Sequence, residues 1–232
     1  MLAEGLLHTP AFEDRHEAGR LLANMVRHLR EDHPVVLALP RGGVPLGYEV
    51  ARALSAPLDL LLVRKLPVPR HPDITMGVIG ESGAIRLDGD VVRAQRVSSG
   101  DLDEIVLHER EELERQAWRY ALGRPRLSVE GRVVLLVDDG IATGETARFA
   151  VETLRKERPA RVLLGAGVVS PEAYPTLFRT TDGVYSPMVP GIFHSIAEWY
   201  RQFAPVSEAE IERLLQEVHH MHDEDALPSA FG

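Results

Sequence analysis

Apolar positions along the chain recur with two periods, and each period predicts a kind of element. Ala18, Leu21, Leu22, Met25 and Leu29 share one helical face and predict a first helix at about 14–30. Val35 to Leu39 is a short apolar run ending in Pro40-Arg41-Gly42-Gly43, a strand entering a glycine turn. Pro45 suits the first turn of the next helix, whose buried face is Leu46, Val50, Ala51 and Leu54. Leu58 to Val63 is a second buried-strand run, closing on Arg64 and Lys65. Residues 66–100 are less regular, with several prolines and strand-like pieces around 76–79 and 84–87. A charged helix at about 101–121 carries Leu102, Val106, Leu113 and Ala117 on one stripe. Arg132 to Val137 is the strongest strand and runs into Asp138-Asp139-Gly140. The helix after it has Ala147, Ala150, Val151 and Leu154 at ideal spacing. Arg161 to Val169 and the shorter Val184-Tyr185 are again strand-like. Ser207 with Glu210 forms a capping box for a last helix that buries Ile211, Leu214, Leu215 and Val218, and a frayed tail is expected from about 219 to 232.

Strand–helix alternation predicts an α/β fold with a parallel central sheet flanked by helices on both faces. In such sheets ligands sit beyond the carboxyl ends of the strands. The 232 residues suit one domain with insertions, and no apolar run is long enough to span a membrane. The first residues lack a basic segment ahead of an apolar core, so no signal peptide is expected, and a cytoplasmic location is the default. The absence of cysteine excludes disulfides, thiolate metal sites and cysteine nucleophiles. A net charge of −9 disfavours nonspecific contact with nucleic acid or an anionic membrane. Lysine occurs only at Lys65 and Lys156, against an abundance of arginine.

Candidate chemistry concentrates in residues 133–147, VVLLVDDGIATGETA. A buried strand there delivers Asp138 and Asp139 to its carboxyl end, and a loop opens a helix at about Gly144. Backbone N–H groups of that loop, with the Thr143 and Thr146 hydroxyls, suit a phosphate at the positive end of the helix. Two acids beside an anion site are compatible when the ligand places hydroxyls or a cation between them. A sugar phosphate with a divalent metal meets both conditions. The loop has no lysine for a P-loop, and its glycine spacing differs from the dinucleotide fingerprint.

This run of aliphatics, two acids and Ile-Ala-Thr-Gly-Glu-Thr resembles the phosphoribosyl pyrophosphate (PRPP) signature of type I phosphoribosyltransferases. ALPRGGVPLGYEVA resembles their pyrophosphate loop, and LLLVRKL the strand that follows. KLPVPRHPDITMGVIGESG, WRYALGRP and FHSIAEWYRQFAPVSEAEIERLL are similar to a bacterial subgroup of stand-alone members. The resemblance implies a single domain over 1–218. A flexible loop is expected at about 66–105, and a small hood from the N-terminal region, from about 185–206, or from both. It implies Mg²⁺-dependent transfer of phosphoribose from PRPP to a nitrogen acceptor, a nucleobase or small heterocycle. Small molecules, not nucleic acid or membrane, would then be the partners, with a homodimer as the family's common assembly.

Carried over by residue, Asp138 and Asp139 would face the ribose hydroxyls, directly or through metal. Gly140, Ala142, Thr143, Gly144, Glu145 and Thr146 would hold the 5′-phosphate. Arg41, Gly42, Gly43 and Lys65 would approach the pyrophosphate. The Glu145 side chain should turn away from the phosphate. Enzymes of the hypoxanthine type carry an acid where this loop has Ala142, which counts against a 6-oxopurine acceptor.

Taken alone, Arg41-Gly42-Gly43 would read as an ordinary turn; the alternative for Asp138-Asp139-Gly140 is a capped strand-to-helix turn, and for Lys65 a surface ion pair, although its place at a strand's carboxyl end favours a ligand role. Phe193, Trp199 and Tyr200 are candidates to stack on an aromatic acceptor, or to pack the last helices onto the sheet. Arg115, Arg119 and Arg124 flank the expected loop, though arginines on a charged helix are generally solvated. His219, His220 and His222 lie too near a tail to specify a metal site. Glu81 and Glu109 are the unresolved candidates for a general base. The alternative function is a non-catalytic regulator that senses PRPP or a nucleotide on the same fold; the acidic charge and the short segment before the first core strand count against it. A metal hydrolase using Asp138 and Asp139 lacks a further acid cluster at ligand spacing.

Overall fold

The computed structural model describes residues 11–121 and 126–226. Five parallel strands form the central sheet: β1 (Val35–Ala38), β2 (Leu58–Leu60), β6 (Val133–Ile141), β7 (Arg161–Val169) and β8 (Gly183–Tyr185), in the order β2-β1-β6-β7-β8. The interval between β2 and β6 supplies a second, antiparallel sheet of β3 (Val63–Val68), β4 (His71–Gly80) and β5 (Ile85–Leu87), in that order.

Strand β1 and the first five residues of β6, Val133 to Val137, are apolar and buried because helices cover both faces. On one face α1 (Arg15–Val26), α2 (Gly43–Leu54) and α7 (Glu208–Ala226) bury Leu22, Leu46, Val50, Ile211 and Leu214 against Val36, Leu135 and Val137. On the other, α5 (Glu145–Lys156) and α6 (Tyr174–Thr180) bury Ala150, Leu154 and Leu177 against Leu37, Val134 and Leu136. Alternate residues of one strand therefore feed two separate cores. Ser207 accepts the Glu210 N–H at 3.1 Å and so caps α7. No helix among the described residues is long and apolar enough to cross a membrane.

Three expectations change. The run Leu58–Val63 is two strands, not one: β2 leaves the parallel sheet at Leu60, and β3 starts the antiparallel sheet at Val63. Leu61 and Leu62 between them are both buried, in different cores, which explains why the run looks continuous in sequence. Residues 66–105, where a flexible loop is expected together with strand-like pieces at 76–79 and 84–87, are built into β3, β4, β5, α3 (Gly89–Ala94) and the start of α4 (Ser99–Tyr120). Pro67 is tolerated because β3 is an edge strand whose register shifts around that residue. Finally, β6 continues through the two acids, pairing Asp138 with Ala166 and Ile141 with Val169.

The N-terminal segment and the stretch after 185, the two segments expected to supply a hood, are hydrogen-bonded to each other. Ala11 and Phe12 donate to the Trp199 carbonyl at 3.1 and 3.0 Å, and Arg201 and Gln202 donate back to Phe12 and Glu13 at 2.9 and 2.8 Å. The N-terminal segment and residues 199–202 are thus laced together beside the carboxyl ends of the central strands.

Candidate active site

From β1 the chain crosses to β2 on one side, while β6 lies on the other, so the sheet order reverses between β1 and β6. A crevice opens at the carboxyl ends of strands flanking such a point. Here it has a volume of about 270 Å³ and is lined by Leu39 and Pro40 after β1, by residues 138–147, by Val63 and Lys65 of β3, and by Ile196.

Asp138 lies in this crevice with its carboxylate turned along the chain to accept the Asp139 N–H at 2.8 Å. Burial, and then the neighbouring Asp139 charge, raise the Asp138 carboxyl well above the usual carboxylate range. Asp139 is 8% exposed and carries its own counter-ion: Arg15 Nε of α1 donates to Asp139 Oδ2 at 2.8 Å. The Tyr200 hydroxyl donates to the Asp139 carbonyl at 2.5 Å, and burial raises that hydroxyl's pKa, which keeps it a donor. Gly140 leaves room for Ile196, since a Cβ there would fall 2.5 Å from Ile196 Cγ2.

The loop from Ala142 to Thr146 opens α5. The Ser170 hydroxyl donates to the Ala142 carbonyl at 2.5 Å, fixing the loop to the end of β7. Gly144, at φ +78°, caps the helix in the left-handed region that glycine adopts without a Cβ penalty. Ala142, Thr143 and Glu145 are exposed. The Glu145 carboxylate is turned along α5 to Arg148, 2.9 Å away. Lys65 is exposed across the crevice and has no ion-pair partner among the described residues. A second chamber of about 520 Å³ shares Lys65, Thr143, Glu145 and Thr146 with the crevice; Thr75, Gly77 and Val78 of β4, Arg86 and Leu87 of β5, and Asp88 and Gly89 after it complete its wall.

The remaining expected residues are placed differently. The Pro40–Arg41 peptide bond is cis, and the Arg41 guanidinium lies 3.5 Å from Glu208 at the start of α7, away from the crevice lining. Gly42 and Gly43 pack behind the crevice: a Cβ at Gly42 would fall 2.1 Å from Asp139 Oδ2, and one at Gly43 2.5 Å from the Val137 carbonyl. Trp199 and Tyr200 are 3% and 4% exposed within the core, and Phe193 packs against that core, so none of the three lines the crevice. Ile196, from the same stretch of chain, does line it.

Glu109 is buried and ion-paired with Arg64. Glu81 lies in a separate cavity of about 430 Å³ bounded by β2, the end of α4, Leu127 and His219. Arg115 pairs with Glu112 and Arg119 with Glu208, while Arg124 and the His222 side chain lie outside the described residues. No cluster of three or more metal-ligating side chains occurs among the described residues.

The family model described as phosphoribosyl transferase domain matches residues 3–172. The chain belongs to the phosphoribosyl transferase domain family. It is 39% identical over 208 residues to "Putative phosphoribosyl transferase Rv0571c" of Mycobacterium tuberculosis H37Rv, and equally to the counterpart in strain CDC 1551 named "Putative phosphoribosyl transferase MT0597". Each alignment covers 90% of this chain and 47% of the relative, so the chain spans about half the length of these curated relatives. The crystal structure of TT1426 from Thermus thermophilus is similar at 38% identity and a TM-score of 0.73, over 89% of this chain and 98% of that one.

The phosphoribosyl transferase fold accounts for the parallel sheet, the reversal of strand order and the helix-opening loop. Sequence reasoning missed Arg15, Ile196 and the β4–β5 chamber. Arg15 had no local signal, because its partner Asp139 is 124 positions away. Ile196 could have been sought as the residue that a glycine after two acids makes room for. The chamber depends on how the antiparallel sheet docks, which no linear pattern encodes.

Proposed function

We propose that this member of the phosphoribosyl transferase family transfers phosphoribose from PRPP to a nitrogen acceptor, a nucleobase or small heterocycle, releasing pyrophosphate. The observation that carries the reading is the crevice itself: a helix-opening loop at 142–146 with Ala142, Thr143 and Glu145 exposed, an adjacent pair of acids at the end of β6, and, facing them, Lys65, which has no ion-pair partner among the described residues. Loop amides and the Thr143 and Thr146 hydroxyls would hold the 5′-phosphate. The ribose hydroxyls would lie beside the Asp138–Asp139 strand end. The acceptor's lone pair forms the new bond to the anomeric carbon as the bond to pyrophosphate breaks and its electron pair leaves with that group. Lys65 would face the departing charge, and the acids would offset the positive charge developing on the ribose.

The donor set fits Mg²⁺ of the kind bound by one or two carboxylates with substrate oxygens completing the shell, because Asp138 stands in the crevice and Asp139 is already paired with Arg15. Asp138 would hold the ion, which supplies neutralisation of the pyrophosphate charge. Ala142 leaves that loop position without a side-chain base, which favours an acceptor other than a 6-oxopurine.

The test is calorimetric titration with PRPP, with and without Mg²⁺, on the wild type and on Asp138→Asn. Binding on the order of micromolar is expected, metal-dependent and weakened at least about tenfold in the variant. A panel of nitrogen bases scored by pyrophosphate release then identifies the acceptor. PRPP binding without turnover on any base would favour the regulatory alternative. No heat and no thermal stabilisation by PRPP would refute the reading.

A further inference from the structure

The two adjacent acids of β6 are not equivalent. The Asp139 carboxylate is held from two directions and its backbone from a third. Arg15 Nε donates to its Oδ2 at 2.8 Å, and the Gly42 backbone approaches so closely that a Cβ there would lie 2.1 and 2.8 Å from its two oxygens. The Tyr200 hydroxyl fixes the carbonyl of the same residue. Arg15 is itself immobilised: its Nη1 donates to the Ala204 carbonyl at 2.8 Å, and its guanidinium sits 3.9 Å from the Phe203 ring centroid. The two side chains are only 11% and 12% exposed. A guanidinium stacked and hydrogen-bonded at both ends is a rigid partner, unlike a surface arginine. Among the described residues, no side-chain cation donates to Asp138; its contacts are both with Asp139, the N–H at 2.8 Å and the neighbouring carboxyl.

We infer that Arg15 is a positioning residue of the site: it draws Asp139 back against Gly42, leaving Asp138 as the carboxylate that meets the hydroxyls of a bound ribose. This rests on the PRPP reading above. The chemistry follows from charge. A second free carboxylate in the crevice would stand beside an anionic ligand and repel it, and Arg15 removes that charge from play while fastening α1 and residues 203–204 to the end of β6.

The experiment compares PRPP titrations at saturating Mg²⁺ for the wild type, Arg15→Met, Arg15→Lys, Asp139→Asn and the Arg15→Met/Asp139→Asn double variant. Arg15→Met frees the Asp139 charge and should weaken PRPP binding by about tenfold or more. Removing that charge in the double variant should return affinity to within about threefold of the wild type. Arg15→Lys keeps the cation without the fork or the ring stack, and should fall between wild type and Arg15→Met; it also guards against Arg15→Met failing to fold. A purely structural role for Arg15 would lower the melting temperature of the unliganded protein without changing the affinity of the folded fraction, and that result overturns the inference. So does a double variant that binds PRPP no better than Arg15→Met. A silent titration of the wild type refutes the PRPP reading itself, whereas wild-type binding with no recovery in the double variant refutes only the role of Arg15.

Discussion

Glu81 offers the most direct test of how this fold handles charge away from its crevice. It follows β4 and lies in the cavity beside β2, where burial raises its carboxyl from 4.5 to about 7; Arg126, with its Nε 3.8 Å away, only partly opposes that rise. Asp59 and Glu157 add to the rise. The protonated form is therefore the one the folded protein favours. The stability contributed by Glu81 is present in full below the unfolded value, near pH 4.5, and is lost as pH rises towards 7. A displacement of that size corresponds to about 3 kcal/mol. Glu81→Gln keeps the shape and stays neutral, so above about pH 7 it should be more stable than the wild type by up to about 3 kcal/mol. For a protein of this size that is a rise in Tm of roughly 10 °C. The gap should close as pH falls towards 4.5, where both side chains are neutral. Urea unfolding of both proteins across this range reads the difference directly. A gap that does not vary with pH, or a Glu81→Gln protein less stable than the wild type at about pH 8, would show that Glu81 is ionised in the folded state and held there by Arg126.

Two further outcomes are expected. Gly42→Ala forces a methyl into the Asp139 carboxylate, so α2 must shift away from the end of β6; a loss of about 1–3 kcal/mol in urea unfolding is expected, and an unchanged midpoint would contradict the close approach. Breaking the buried Arg64–Glu109 pair from one side, with Arg64→Met, leaves the Glu109 carboxylate uncompensated and should cost about 3 kcal/mol, whereas Glu109→Gln with Arg64→Met should recover most of it; equal losses in the single and double variants would remove the pair from the account.

The central sheet was legible because its strands are covered on both faces and so read as unbroken aliphatic runs. Arg132–Val137 and Arg161–Val169 sit in the middle of the sheet as their composition requires. The short α6 escaped notice because Leu177 is its sole buried residue and no apolar period can develop over seven positions. Of the antiparallel β3–β4–β5 sheet, the sequence shows strand-like pieces at 76–79 and 84–87, inside β4 and at β5, but not β3 or the pairing, because Pro67, Pro69 and Pro72 mask the first strand and pairing with a partner strand is a non-local fact.

What the sequence determined by itself is local. Gly144 opens α5, Ser207 caps α7, the apolar periods set the helix faces, and Asp138 and Asp139 stand together at a strand end beside a helix-opening loop. What only the tertiary structure decided is which of those groups are free. Trp199 and Tyr200 have the chemistry to stack on a ligand, yet the lacing of residues 11–13 to 199–202 buries them. Arg41 follows the strand that leads to the crevice, yet Glu208 draws its side chain away. Asp139 has the same side chain as its neighbour, yet Arg15 occupies it. In each case the partner lies far along the chain. A charge or a ring is available to a ligand only if no other part of the fold has satisfied it first, and that condition is set by packing rather than by neighbouring residues.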